Sequence, residues 1–262
     1  MYKEKQFTPA QLLDIYAPQQ YYPMQQTPYY RAFLCPDNKE GYVCNYAVLK
    51  TMENAEESLA AIEKLYTDHG VLPKVFGRPD GVSLQEAQGF FTAHGYSVAV
   101  RNMDIMLLEN APAPDVKIAR CSVRPVTLPL PREIRQMETD NSNGLDFGVK
   151  MLERELAGGS RCYAAYDENG MAAAMCGVWA YQNAAYITDV YTRPEVRRCG
   201  FAAAVVQHAV DEARRLGAAH IHLYASEAGP KRLYERLGFV ASPCSTYWAL
   251  KGALPAWLCG EE

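Results

Sequence analysis

The stretch Val190-Tyr-Thr-Arg-Pro-Glu-Val-Arg-Arg-Cys-Gly-Phe-Ala202 joins a strand pattern to a helix pattern through a short basic loop. Upstream, Ala184-Ala-Tyr-Ile-Thr-Asp-Val190 is short and carries β-branched and aromatic residues toward its end, a strand signal. Downstream, Ala202, Val205, Val206, Ala209, Val210, Ala213 and Leu216 recur at three- and four-residue steps, the apolar stripe of a helix, and Gly217 supplies its stop. The first N–H groups of a helix lack intrahelical partners and lie at the positive end of its dipole, so an anion fits there. Gly200 permits close backbone approach or positive φ, and Arg193, Arg197 and Arg198 add charge at the same point. Taken alone, the loop also reads as an ordinary strand-to-helix turn with solvated charges. It is neither a P-loop nor a dinucleotide fingerprint, because neither glycine pattern occurs.

The residues that follow decide between these readings. Ala219-His-Ile-His-Leu-Tyr-Ala225 alternates as a strand does, and Ser226 to Phe239 contains Lys231-Arg-Leu-Tyr234-Glu-Arg-Leu-Gly238-Phe239. Arg197-x-x-Gly200-x-Ala202, a long helix, a strand and this second motif together resemble the GNAT superfamily of acyl-CoA-dependent N-acyltransferases. The resemblance covers roughly residues 118–251 and rests on two separate motifs in the expected order and at the expected distance.

The resemblance implies an α/β fold, a mixed sheet flanked by helices, with acetyl-CoA as the acyl donor. The main-chain amides of Arg197, Arg198, Cys199, Gly200, Phe201 and Ala202 would wrap the coenzyme A pyrophosphate. Val190, Tyr191 and Thr192 would pair with the pantetheine arm and aim an amide at the thioester carbonyl, which gains negative charge as the amine attacks. Tyr234 would protonate the departing thiolate, a task that suits a phenol because it is a neutral donor at pH 7; a packed helix residue is the other reading. Two departures from the family pattern are Cys199 in the loop and Ala228-Gly229-Pro230 where many members carry an asparagine. Asp189 is a candidate base for the amine proton, and it also suits a cap of the loop or an ion pair with Arg193. His220 and His222 share a strand face, but no third ligand accompanies them, so no metal is expected.

Composition excludes several classes. Of 262 residues, 49% are hydrophobic and 21% charged, as in soluble globular proteins, and the net charge of −4 argues against a nucleic-acid partner. No apolar run reaches the ~18 residues of a membrane helix, and Met1-Tyr-Lys-Glu-Lys-Gln opens without the apolar segment of a signal peptide. The cysteines at 35, 44, 121, 162, 176, 199, 244 and 259 show no metal spacing, so reduced thiols in a cytoplasm are expected.

Asn110-Ala-Pro-Ala-Pro-Asp115 reads as a linker, which divides the chain into lobes 1–113 and 114–262. In the second lobe the expected order is a strand over Ile118–Val126 and two helices between about Arg132 and Leu156, separated at Asn141–Gly144. A hairpin over Arg161–Asp167 and Met171–Tyr181 then turns at Glu168-Asn-Gly170. The loop at 140–148 borders the acceptor site in the family. The first lobe reads as an internal repeat. A helical stripe of Ala55, Leu59, Ile62, Leu65 and Tyr66 ends at Gly70; Leu72–Phe76 follows as a strand, and Ser83 caps a helix in which Phe91 precedes Gly95 by four residues, as Tyr234 precedes Gly238. Phe91 has no hydroxyl, and Tyr46–Asn54 has neither glycine nor an arginine cluster. The first lobe would then be a degenerate, coenzyme-free copy in a tandem arrangement. At the N-terminus, Thr8-Pro9 starts a short helix. The doublets Tyr21-Tyr22 and Tyr29-Tyr30 either line a groove or cover an apolar edge. The tail is expected to tuck Trp257 against a lobe.

Two functional readings follow. One is an N-acetyltransferase in which an amine, small-molecule or peptide, attacks acetyl-CoA directly in a ternary complex. The other is a non-catalytic module that binds coenzyme A or acyl-CoA as a sensor or scaffold. A monomer and a homodimer are both compatible with the sequence.

Overall fold

The computed structural model describes residues 17–77, 82–113, 115–225 and 228–259. The chain divides into two compact units, residues 104–243 and residues 18–103 with 244–259. This differs from the division expected at 113/114, and two strands account for the difference. β5 (Ser97–Leu108) and β11 (Phe239–Leu250) are each 12 residues long, and each passes from one unit into the other. A strand of that length can pair with different neighbours at its two ends, so the change of unit falls inside it.

In the unit of residues 104–243, β6 (Ser122–Pro125), α3 (Arg132–Asn141), α4 (Phe147–Ala157), β7 (Arg161–Tyr166), β8 (Ala172–Tyr181) and β9 (Ala184–Thr192) precede α5 (Phe201–Arg215). β10 (His220–Ala225) and α6 (Ala228–Arg236) follow. The sheet order is β5-β10-β9-β8-β7-β6. β10 runs parallel to β9 and antiparallel to β5, while β6 to β9 form an antiparallel meander. The stripe expected on α5 is buried: Val205, Val206, Ala209, Val210 and Ala213 are at most 3% exposed and pack on Ala185, Ile187, Ile221 and Leu223. Each fully buried valine contributes about 1.5–3 kcal/mol relative to an exposed one. On the other face Ile134 and Met137 of α3 and Val149 and Leu152 of α4 cover Cys162, Ala164 and Met175.

Two expectations change. The strand expected over Ile118–Val126 is confined to Ser122–Pro125, because the segment before it crosses the α5 N-terminus, where the Ala119 amide donates to Gly200 O at 3.1 Å. Residues 110–113 and 115 lie in neither helix nor strand, but they lie along the end of α6. The Glu109 and Asn110 amides donate to Gly238 O, the Ala113 amide to Arg236 O, and Arg236 to Asp115. Gly238, at φ +98°, is needed there because a Cβ would lie 2.1 Å from Asn110 O.

In the other unit, β1 (Met24–Gln26), β2 (Tyr30–Phe33), β3 (Tyr46–Leu49), α1 (Ala55–Asp68), β4 (Lys74–Gly77) and α2 (Leu84–Ala93) precede β5. The sheet order is β1-β2-β3-β4-β11, with β3 parallel to β4 and Tyr247–Leu250 of β11 antiparallel to it. Strand, helix, strand, helix and long strand therefore occur in the same order in residues 46–108 and 184–250. Ser83 forms a capping box with Glu86. Tyr21, Tyr22 and Tyr30 are buried, which favours edge cover over a groove. The Thr8-Pro9 helix and the Trp257 side chain lie outside the described residues. α7 (Ala256–Cys259) is a single helical turn, and no helix among the described residues is long and apolar enough to cross a membrane.

Candidate active site

β9 and β10 pair in parallel only from His220–Ala184 to His222–Tyr186. Beyond that pair β9 continues to Thr192 and β10 to Ala225, and the strands part. Between them opens a cavity of about 160 Å³ whose lining includes Tyr186, Thr188, Asp189, Val190, Tyr224 and Tyr234. Both expected chemical groups, Asp189 and Tyr234, thus reach one cavity. Tyr234 is 6% exposed and stands edge-on to Phe239.

Asp189 sits at an irregularity of the β8–β9 pairing, where the register shifts between Met175 and Gly177, and its φ is +50°. Aspartate tolerates this region better than most residues, at a cost of about 1–3 kcal/mol. The bulge turns the side chain out of the regular alternation. The residue keeps accessible surface, yet protein crowds its carboxyl closely enough that desolvation raises its pKa, opposed by the hydrogen bond that Thr188 Oγ1 donates to Oδ2 at 2.9 Å. Its alternative partner is engaged elsewhere: Arg193 pairs with Asp167 at 3.3 Å and Glu195 at 3.2 Å.

Val190 faces the α5 core and Tyr191 the α3–α4 core, as strand alternation demands. The Thr192 carbonyl accepts from Arg197 Nε at 3.2 Å. A 3₁₀ turn at Pro194–Val196 leads to Arg197, Arg198 and Cys199, all exposed. Among the described residues, neither Arg197 nor Arg198 forms an ion pair. Gly200 is the N-cap of α5 with φ +95°, and no side chain caps the first turn at Phe201 and Ala202. Both reasons for a glycine operate at once, since a Cβ would lie 2.8 Å from the Ala119 amide nitrogen and 2.9 Å from Lys117 O. The loop thus presents uncapped amides and two exposed guanidinium groups at one helix start.

Two residues were missed in the sequence. Glu138 on α3 and Glu155 on α4 are buried beside Asp189, around a second cavity of about 10 Å³. Burial, then Asp189, then Glu155 hold the Glu138 carboxyl well above the ordinary carboxylate range. Glu155 accepts from Trp179 Nε1 at 3.1 Å. His222, weighed from the sequence only as a metal ligand, is 1% exposed and stacked on Tyr186 at 5.1 Å, and burial lowers its pKa to about 3. His220 is exposed. Among the described residues no group of three or more potential metal ligands gathers. The glutamates carry no motif because they come from different helices; only the polar interruption of apolar helix faces marked them.

The equivalent place in the other unit is closed. Beyond β3 the Leu49 carbonyl accepts from the Val82 amide at 3.0 Å, and Phe91 is fully buried against Tyr96 and Tyr247.

Comparison with known proteins agrees with this geometry. No curated protein matches the chain in sequence. A GCN5-related N-acetyltransferase from Kribbella flavida shares the fold with a TM-score of 0.67 at 14% identity, covering 93% of this chain and 95% of that one. A conserved protein of unknown function from Staphylococcus epidermidis has a TM-score of 0.66 at 14% identity, covering 95% and 99%. A tandem GNAT protein from the clavulanic acid biosynthesis pathway has a TM-score of 0.53 at 15% identity, covering 78% and 72%. The family model for the acetyltransferase (GNAT) family matches residues 130–239, which contain the cavity, the basic loop and Tyr234. Residues 130–239 thus match the model of the acetyltransferase (GNAT) family, whose proteins are acyltransferases.

Proposed function

We propose that this protein transfers an acetyl group from acetyl-CoA to an amine by direct attack in a ternary complex. The observation that carries the reading is the cavity at the parting of β9 and β10 that Asp189 and Tyr234 share, lined in part by the strand that leads through the basic loop to the uncapped N-terminus of α5. The pyrophosphate lies against the amides of Arg197 to Ala202, with the Arg197 and Arg198 charges beside it. The pantetheine arm runs along the edge of β9 at Val190, Tyr191 and Thr192, which β10 leaves uncovered. The amine nitrogen forms a bond to the thioester carbonyl carbon, the C–S bond breaks, and the thiolate takes the Tyr234 phenolic proton. Asp189 takes the proton that the amine loses, so charge and protons balance once both side chains re-equilibrate with solvent. The N-terminal unit, with Phe91 and the Val82–Leu49 closure, is a degenerate copy that holds no coenzyme.

Titration of acetyl-CoA into the wild type and an Arg197→Ala/Arg198→Ala variant tests the reading. Micromolar binding that weakens by about tenfold or more in the variant, about 1.4 kcal/mol, is expected. Absence of binding to the wild type overturns it. Binding with no turnover of any amine would instead favour the coenzyme-binding sensor or scaffold.

A further inference from the structure

The helix that carries Tyr234 is held unevenly along its length. α6 has nine residues, and packing anchors its second half: Tyr234 and the following Leu237 are buried, and Leu233 packs beside them on the α5 core. Its first half has no such anchor. Ala228, Gly229, Pro230 and Arg232 are exposed, and Gly229 lowers the local helix propensity. A helix this short is marginal without tertiary support.

Among the described residues, that support comes from β5. Lys231 Nζ donates to Asp104 Oδ2 at 2.7 Å, with the side chains 35% and 17% exposed respectively. Asp104 lies opposite Ala225, the last residue of β10. It is two residues before Met106, which is fully buried in the α5 core, so strand alternation puts both on the face that α5 and α6 cover. The carboxylate thus stands at the end of β10, within reach of the first turn of α6.

Pro230 and Tyr234 both line the cavity at the strand opening and are four residues apart, so they share one face of α6. Lys231 lies about 100° round the helix from Pro230. A tie at Lys231 therefore fixes the rotation of the helix as well as its height on the sheet. Both set where the Tyr234 oxygen stands in the cavity.

The far end of α6 is held differently. Arg236 donates to the Asp115 carboxylate, which belongs to a side chain 80% exposed, and also to the Asp115 carbonyl, while the Ala113 amide donates to Arg236 O. Bonds to the backbone hold that end with or without the Asp115 carboxylate. The first half depends instead on a side-chain pair, and a partly buried pair is screened less than one on the open surface.

We propose that Asp104 is a positioning residue: through Lys231 it sets the place of Tyr234 at the strand opening, and so the delivery of the phenolic proton to the departing thiolate. This rests on the acyl-transfer reading above. A misplacement of about 1 Å costs a reacting group about 10²-fold in rate, so a pair of modest stability carries a large kinetic effect.

The test combines hydrogen exchange with a mutant cycle. Exchange of the α6 amides, read by mass spectrometry, is expected to quicken by about fivefold or more in Asp104→Asn and to stay unchanged in Asp115→Asn. Turnover is followed as coenzyme A thiol released from acetyl-CoA, with 2-aminoethanol or water as acceptor. Asp104→Asn and Lys231→Met are each expected to lower kcat by about tenfold with KM for acetyl-CoA unchanged, and the double variant to lose no more than either. In a Tyr234→Phe background Asp104→Asn is expected to cost nothing further. Unchanged exchange in Asp104→Asn, an unchanged kcat in either single variant, or an equal loss with and without the Tyr234 hydroxyl overturns the proposal. So does a wild type that binds acetyl-CoA and releases no thiol. Failure of acetyl-CoA to bind the wild type is a separate result, which removes the acyl-transfer reading and this proposal with it.

Discussion

Tyr186 and His222 form the last pair at which β9 and β10 meet, and their rings stack at 5.1 Å with 17° between planes. The stack fills the vertex from which the strands part. Its cost is a buried imidazole whose Nε2 has no hydrogen-bond partner. Burial lowers the His222 pKa to about 3, from an ordinary 6.5. Below pH 6.5 the unfolded chain takes up a proton that the folded one refuses, so stability falls as pH drops from 6.5 toward 3. At about 1.36 kcal/mol per unit, some 3 kcal/mol is lost by about pH 4. His222→Phe keeps an aromatic ring and removes the titration, so urea unfolding at pH 7 and pH 4 should differ less in the variant.

Removing the phenol of Tyr234 isolates the leaving-group proton. Tyr234→Phe keeps the ring that meets Phe239. Its kcat should fall by about 10²–10⁴-fold, the usual worth of a general acid, with acetyl-CoA affinity little changed. An unchanged kcat in steady-state assays would falsify the assignment.

As the proposed base Asp189 would act in its ionised form, and desolvation raises its pKa. Activity should therefore decline, as pH falls, at values above the ordinary carboxylate range. Asp189→Asn should lower kcat/KM by about 10²-fold or more and abolish that limb of the pH profile. A limb of the same midpoint in the variant would assign it to another group.

At Gly200 positive φ and backbone contact coincide, so Gly200→Ala cannot be accommodated by a side-chain shift. The variant should lose about 1–3 kcal/mol of stability and bind acetyl-CoA more weakly, because the α5 amides move with the loop. Thermal melting and titration check the two effects separately.

Lys74 is 2% exposed, with its ammonium 4.5 Å from the Tyr42 ring centroid, and desolvation lowers its pKa to about 8, opposed by Cys44. Below pH 8 the folded state bears a buried charge that the unfolded state keeps in water. Lys74→Met should thus stabilise the protein at pH 7 by about 1–3 kcal/mol, the upper figure being reduced by loss of the ring contact. The gain should shrink as pH rises from 8 toward 10.5, where the wild type regains stability. Denaturant midpoints at pH 7 and pH 10 measure it.

Local chemistry wrote much of this fold into the chain. The α5 stripe from Ala202 to Leu216, the Asn169-Gly170 turn, the Ser83 cap and the glycines after α2 and α6 are short-range features, and each lies where its pattern predicts. The Arg197–Ala202 loop was legible as a basic strand-to-helix turn for the same reason, since such a turn needs only neighbouring residues.

What the sequence did not disclose depends on residues far apart in the chain. The bulge that turns Asp189 is set by its pairing with β8, and the glutamates beside it come from two helices whose apolar stripes report burial but not what a buried polar residue meets. The linker prolines marked a break in regular structure, whereas the compact units change over inside β5 and β11. The sequence by itself determined the strands, helices, turns and basic loop, because dihedral preference and hydrophobic period act over a few residues. Only the tertiary structure decided where β9 and β10 part and which carboxyls converge there, because those follow from strand pairing and helix packing between segments whose separation in sequence carries no local signal.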